Sequence, residues 1–223
     1  MDHSPLASTI LFHLGPVAIS RPVVTTWGIM LLLTLVCRMV TRRLERMPRS
    51  RQAVLEIVVT VARQQIEDVI RADGRRLLPF LGTLFIFLAT ANLSGLLPGV
   101  EAPTSKIETP AALALIVFFS VHYFGIRAQG LGGYLESFAR PKLVMLPLNV
   151  ISEITRTFSL MVRLFGNVMS GEFIIALILA LAGLFVPIPL MVLEVLVGLV
   201  QAYIFTVLAT VFIGAALGSV EAG

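Results

Sequence analysis

"SLMVRLFGNVMSGEFIIALILALAGLFVPIPLMVLE" (Ser159–Glu194) decides the fold. It reads as the end of one apolar helix, a break, and the start of a second. Pro187 and Pro189 form the break, because proline lacks the N–H that a helix interior needs and its ring clashes with the preceding turn. An apolar stretch over 143–183 runs up to the break, and another leaves it over 190–218. The first is about twice the ~20 residues needed to cross a ~30 Å hydrocarbon core, so it must tilt strongly or lie partly outside it. The two form a long helical hairpin. Arg163, Asn167, Glu172 and Glu194 interrupt it. A charge at mid-bilayer costs roughly 3 kcal/mol on insertion scales, so such residues mark function.

The rest of the chain has the same character. Of its 223 residues, 57% are hydrophobic and 13% charged, with a mean hydropathy of +0.94. A soluble protein needs about 25% charged residues to cover its surface; this is an integral membrane protein. Three more stretches, 23–40, 77–97 and 111–126, are apolar enough to span. The expected fold is all-α, with about five transmembrane helices in one membrane domain behind an outer N-terminal segment, 1–22. That segment has no basic n-region and no cleavage site, so it reads as mature protein. Cys37 is the lone cysteine, which leaves no disulfide framework and no thiolate metal site. No cofactor is expected.

Arginine and lysine orient the helices. Ten arginines fall in 38–76, and Arg127, Arg140 and Lys142 follow in 127–142, against Arg21 and Lys106 on the opposite side. The positive-inside rule puts the N-terminus outside and the C-terminus in the cytoplasm. The net charge of +4 thus reflects orientation and does not indicate a nucleic-acid partner. Residues 52–72 differ in kind. Leu55, Val58, Ala62, Ile66 and Val69 recur at helical spacing, while Glu56, Thr60, Arg63, Glu67 and Arg71 take another face. That pattern predicts an amphipathic helix on the cytoplasmic interface, its apolar face on lipid.

On a helical wheel Ser152, Arg156, Ser159, Arg163, Asn167 and Ser170 fall within roughly 40° of a common direction. Glu172 lies about 180° from Arg163 and ~13 Å along the axis, so it faces another compartment. Glu194 and Gln201 are seven residues apart on one face of the returning helix. Folding at Pro187 puts both glutamates near the outer surface and Arg163 with Gln201 deeper. Two glutamates there can line a hydrated cation path. Arginine keeps its proton in any protein environment, so Arg163 acts as a fixed charge and not as a carrier.

The run "SEITRTFSLMVRLFGNVMSGE" resembles the signature of subunit a of bacterial rotary ATP synthases. "FHLGPVAI", "ATANLSGLLPG", "PT" at 103–104, "ALALIVFFSVHYFGI" and "LVQAYIFTVL" are similar to that family's segments in the same order. The resemblance implies a non-catalytic stator in the bacterial plasma membrane. Its last two helices would face a rotating ring of c subunits, and a peripheral stalk of b subunits would bind it. Two half-channels would carry H⁺ or Na⁺ to and from ring carboxylates, coupling ion flow to ATP synthesis or hydrolysis.

Matched to the motif, Arg163 is the family's essential arginine, and Asn167 is the polar residue one turn on. Glu172, Glu194 and Gln201 are the channel residues. Ser170, Ser159, Arg156, Glu153 and Asn92 are further candidates for the ion path. Glu194 replaces the histidine of many members, and neither helix holds a histidine, so no imidazole relay operates here. Thr157 replaces the usual proline, which predicts a straighter helix. Trp27, His122 and Tyr123 read as interface anchors. A secondary transporter would also place Arg and Glu within the membrane, but its two related halves and broken helices are missing from this sequence. A passive scaffold would leave the polar stripe unexplained. The choice between H⁺ and Na⁺ rests with the ring, a separate chain.

Overall fold

The computed structural model describes residues 10–14, 17–42, 60, 63–70, 76–95, 102–139, 146–183 and 185–218. The fold is that of an all-α integral membrane protein. Five helices carry it: α1 (Arg21–Thr41), α2 (Leu78–Ser94), α3 (Glu108–Ala139), α4 (Leu146–Ala182) and α5 (Pro187–Ala216). All but α2 are long and apolar enough to cross a membrane, and α2 is a shorter apolar helix. Among the described residues of the α2–α3 connection, a 3₁₀ turn, Pro103–Ser105, precedes α3. At 1.5 Å per residue α4 is about 55 Å long, which a bilayer accommodates only by tilt or overhang.

Sequence spacing explains the packing. Leu77, Leu81, Leu84, Leu88 and Ala91 recur every three or four residues, and all are buried. Leu77, Leu81, Leu84 and Leu88 meet Leu113, Val117 and Val121 of α3 and Ala202, Phe205, Ala209 and Ile213 of α5 in one apolar core. From α4 the fully buried members of that core are Leu160 and Leu164, with Met161 partly buried against them. Of the most apolar window of α4 just 6% is buried, against 39% for α3 and for α5. So α4 is laid on the bundle and leaves most of its surface for lipid or a partner.

Four features differ from the sequence expectation. Residues 10–20 hold a small antiparallel β-hairpin, β1 (Ile10–Leu14) with β2 (Val17–Ser20), pairing Leu14 with Val17 and Ile10 with Ser20 across a bulge. Pro187 does not lie in the break: it opens α5 at the first helical position, where its missing N–H would be unpaired anyway. The helix expected over 111–126 runs on to Ala139, past a break at Gly130 (φ 75°, ψ 162°), a conformation open to glycine because it has no Cβ. Residues 63–70 are helical, as the amphipathic pattern predicts, but Ile66 and Ile70 are buried in the protein core. There the apolar face is covered by the bundle, and Tyr203 of α5 donates to Gln65 at 2.8 Å. Most of 52–72, including Arg71, lies outside the described residues.

Candidate functional site

Ser152, Arg156, Ser159, Arg163, Asn167 and Ser170 are all exposed along one side of α4. No break interrupts that helix. At Thr157, where a proline would have removed an N–H, a hydroxyl bonds back to the Glu153 carbonyl at 3.1 Å. Arg163 opens onto a cavity of about 410 Å³ between α4 and α5. Ser152, Arg156 and Ser159 line it from α4, with Leu208 and Phe212 from α5. Thr155 and Leu160 complete the wall. Among the described residues no hydrogen bond or ion pair engages the Arg163 guanidinium. It is a positive charge presented outward, and a structural ion pair would not look like this.

The hairpin brings the remaining candidates together in pairs. The Asn167 Nδ2 donates to Gln201 Oε1 at 2.6 Å. Gln201 is 2% exposed, and its Nε2 has no hydrogen-bond partner among the described residues. A buried amide donor left open is costly, so this position suits a water or a passing polar group. Ser170 bonds only within its own helix, to the Asn167 carbonyl at 3.0 Å.

Glu172 is half-buried and faces the turn that follows α2. The Ser105 side chain and Ala102 backbone lie within hydrogen-bonding reach of its carboxylate, and the charges of Glu194 and Lys106 are close by. Ser105 also has the Ala102 carbonyl oxygen at 2.8 Å. Glu194 rests on the bare backbone of Gly171: a Cβ there would lie 2.5 Å from its Oε1. Asn92 is fully engaged. Its Nδ2 donates to the Gly198 carbonyl at 2.9 Å, and its Oδ1 accepts from Thr104 at 2.8 Å. With Asn92 7% exposed and Thr104 wholly buried, this bond clamps the turn over α5.

On the other side of Arg163, Arg156 lies 3.6 Å from Glu153 and 5.4 Å over the ring of Phe212. Glu153 is the inward member of its turn, with a side chain 13% exposed. His122, read as an interface anchor, instead turns into the bundle. Its ring packs against Phe118 (4.3 Å) and Tyr134 (5.8 Å), and its Nδ1 lies 2.8 Å from the Phe118 carbonyl. Tyr123 and Trp27 are exposed, as anchors are. Arg163 thus stands between two acidic regions, about 15 Å from Glu153 and about 13 Å from Glu172 along the helix.

A family model described as ATP synthase A chain matches residues 23–214, from α1 to the end of α5. The chain belongs to that family. ATP synthase subunit a 2 of Bradyrhizobium sp. is 78% identical over 223 residues, all of both chains. ATP synthase subunit a 2 of Pelobacter propionicus is 50% identical over 95% of this chain and 93% of its own. ATP synthase subunit a of Albidiferax ferrireducens is 50% identical over 93% and 90%. Both the fold and the family are those that the "RLFGN" motif implied.

Some contributors were not picked out from sequence. Ser105 at the Glu172 seat follows the proline and threonine of "PTS", and only the chain's return over α5 gives it a role. Phe212 and Leu208 are ordinary apolar residues of an apolar helix. Only the antiparallel register, fixed by Asn167 and Gln201, sets them opposite Arg156 and Ser159.

Proposed function

We propose that this subunit of ATP synthase is the stator that passes ions to and from a rotating ring of helices, each presenting a buried carboxylate. The observation that supports this best is Arg163, exposed with no hydrogen-bond or ion-pair partner among the described residues, on the least covered of the long apolar helices. The ring would lie against the exposed stripe of α4. Ions would reach it through an outer half-channel at Glu172 and Glu194, and leave through an inner one that begins at the Arg163 cavity. Asn167 and Gln201 stand between the two. With Arg38 and Arg127 at one end of the bundle and Lys106 at the other, the N-terminus faces outward and the C-terminus inward.

The electrostatics give Arg163 two tasks. A carboxylate taken into lipid is stable only when neutral, yet it must ionise to release its ion. A fixed positive charge ~4 Å away stabilises the ionised form by about 4 kcal/mol at an effective dielectric of 20. That stabilisation acts only while a ring site passes Arg163. The same charge repels cations that would cross directly between half-channels. Arg163→Ala is therefore expected to abolish ATP synthesis and to turn the membrane sector into a passive ion leak. ATP synthesis and passive conduction in reconstituted vesicles test both. Substantial coupled synthesis by the alanine variant would leave Arg163 as a structural residue and end this reading.

A further inference from the structure

Gly95 follows directly on α2 with φ −65° and ψ −16°, ordinary helical angles that any residue adopts. Its conformation does not call for glycine, but its surroundings do. A Cβ placed there would lie 2.9 Å from the Ala102 Cβ and 3.7 Å from the Ala102 Cα. Carbon atoms in contact sit about 3.5–4.0 Å apart, so a methyl on Gly95 would push the two segments apart by roughly 0.6 Å or more. The same Cβ would lie 3.5 Å from Glu172 Oε1, an ordinary contact. Gly95, Ala102 and the Glu172 carboxylate thus meet at one point.

Ala102, Pro103, Thr104 and Ser105 are all buried. Thr104 donates to Asn92 Oδ1 at 2.8 Å. Asn92 lies three residues before Gly95, on the same side of the last turn of α2. That bond draws the 102–105 segment toward α2, and the contact of Ala102 with Gly95 sets where it stops. Ser105, at the far end of the segment, is held by its bond to the Ala102 carbonyl at 2.8 Å. The spacing of the two backbones at Gly95 therefore fixes where the polar groups of this segment stand against Glu172. The charged groups acting on Glu172 among the described residues are Glu194 of α5 and Lys106, next after Ser105.

We infer that Gly95 is a positioning residue for Glu172, and that a single methyl group, the Ala102 Cβ, is the spacer that sets the seat of the carboxylate. With no methyl between the two backbones the segment is loose over Glu172. With two it stands off. Gly95 acts through the segment and meets no ion itself. This inference rests on the stator reading and refines its outer half-channel.

The test uses the complete ATP synthase in vesicles, with the rate of ATP synthesis followed against pH on each side separately. Gly95→Ala puts two methyls between the backbones. It should displace the outer-side profile by about 0.5 unit or more and leave the inner-side profile unchanged. Ala102→Gly removes the spacer without creating a clash and should displace the same profile. Gly95→Ala combined with Ala102→Gly carries the one methyl across the gap, where it makes only an ordinary contact with Glu172, and should restore the parent's profile. In a Glu172→Gln background neither single change should have any further effect. Outer-side profiles matching the parent's in both single variants would overturn the assignment. So would a displacement that the double variant retains, or one that persists without Glu172. If Gly95→Ala fails to assemble, Ala102→Gly and the double variant decide by the same criteria. Arg163→Ala run in parallel separates the two readings: retained synthesis there condemns the stator mechanism, whatever Gly95 does.

Discussion

Arg163 and the Glu172–Glu194 pair lie on the same hairpin, yet they are set in opposite surroundings. Arg163 faces an open cavity on an uncovered helix, and no described side chain bonds its guanidinium. Glu172 and Glu194 are enclosed by their own chain: a 3₁₀ turn closes over one, and a glycine is cut to the shape of the other. A group whose partner belongs to the chain is held by the chain. A group whose partner arrives from outside must be left free to meet it. On the proposed mechanism, the difference separates the part that this subunit would complete alone from the part that would need the ring.

If that division is right, variants should rank by which side they touch. The largest effect is the total loss expected for Arg163→Ala, since nothing in the chain substitutes for the charge. Glu172→Gln and Glu194→Gln come next. Each removes one carboxylate of a pair whose other member remains, so synthesis should fall by about tenfold, near 1.4 kcal/mol on the barrier, while assembly and tightness to ions are kept. Turnover and passive conduction in vesicles distinguish slowing from leak. A leak in either glutamine variant would mean that the outer pair shares the barrier with Arg163, and the comparison would fail.

Gly171→Ala should do less. Its Cβ would meet Glu194 Oε1 at 2.5 Å, which a flexible carboxylate relieves by rotating away. Synthesis is expected to drop about threefold, or roughly 0.7 kcal/mol, and the drop should vanish in a Glu194→Gln background, where the carboxylate that Gly171 positions is already gone. Persistence of the full drop there would show that Gly171 serves the backbone and not the glutamate.

What was legible in the sequence follows the same line. The polar stripe from Ser152 to Ser170 could be read because helical periodicity fixes it without tertiary information, and the stripe is exposed along its length. Arg163 stood out because a charge in an apolar run needs a reason. Partners far apart in sequence could not be read. Asn92 reads as a polar helix end or a candidate ion-path residue, and its two hydrogen bonds reach Gly198, 106 positions away, and Thr104 across the turn. Nothing local announces either. The β-hairpin has a weak sequence signal in Gly15-Pro16, a turn dipeptide between apolar runs, which by itself does not specify strand pairing. The extension of α3 was hidden by Arg127, Gln129 and four glycines between 125 and 133, which resemble a loop. Helical spacing places Ile66 on the apolar, lipid-facing side, because a wheel cannot distinguish burial in lipid from burial in protein.

Asn92→Ala tests the enclosed side through stability. It leaves the Gly198 carbonyl and Thr104 hydroxyl buried without their partner, a cost of about 1–3 kcal/mol. The thermal midpoint of the purified complex should fall, and synthesis per assembled complex should fall with it as the turn over Glu172 loosens. A lower midpoint with unchanged turnover would make Asn92 a packing residue with no bearing on the ion path.

The smallest effect is expected at the helix of residues 63–70, and it separates two uses of one face. Arg63 and Glu67 form an i,i+4 pair at 2.6 Å with both side chains more than a third exposed, worth only about 0.3–0.5 kcal/mol. Arg63→Ala should therefore leave stability and coupling near the parent's. Ile66 and Ile70 are already spent on the core, so this helix has only its charged face left to offer a partner. Arg63→Glu puts a like charge beside Glu67 and inverts that face. If a peripheral stalk docks there, as family membership leads us to propose, the reversal should reduce stalk recovery in salt-washed membranes by about twofold to fivefold, about 0.4–1 kcal/mol, and the loss should grow at low ionic strength, where exposed charges act at longer range. Equal recovery of the stalk with alanine and glutamate at all salt concentrations would mean that the face meets only water and lipid headgroups, and that the stalk is held elsewhere on the chain.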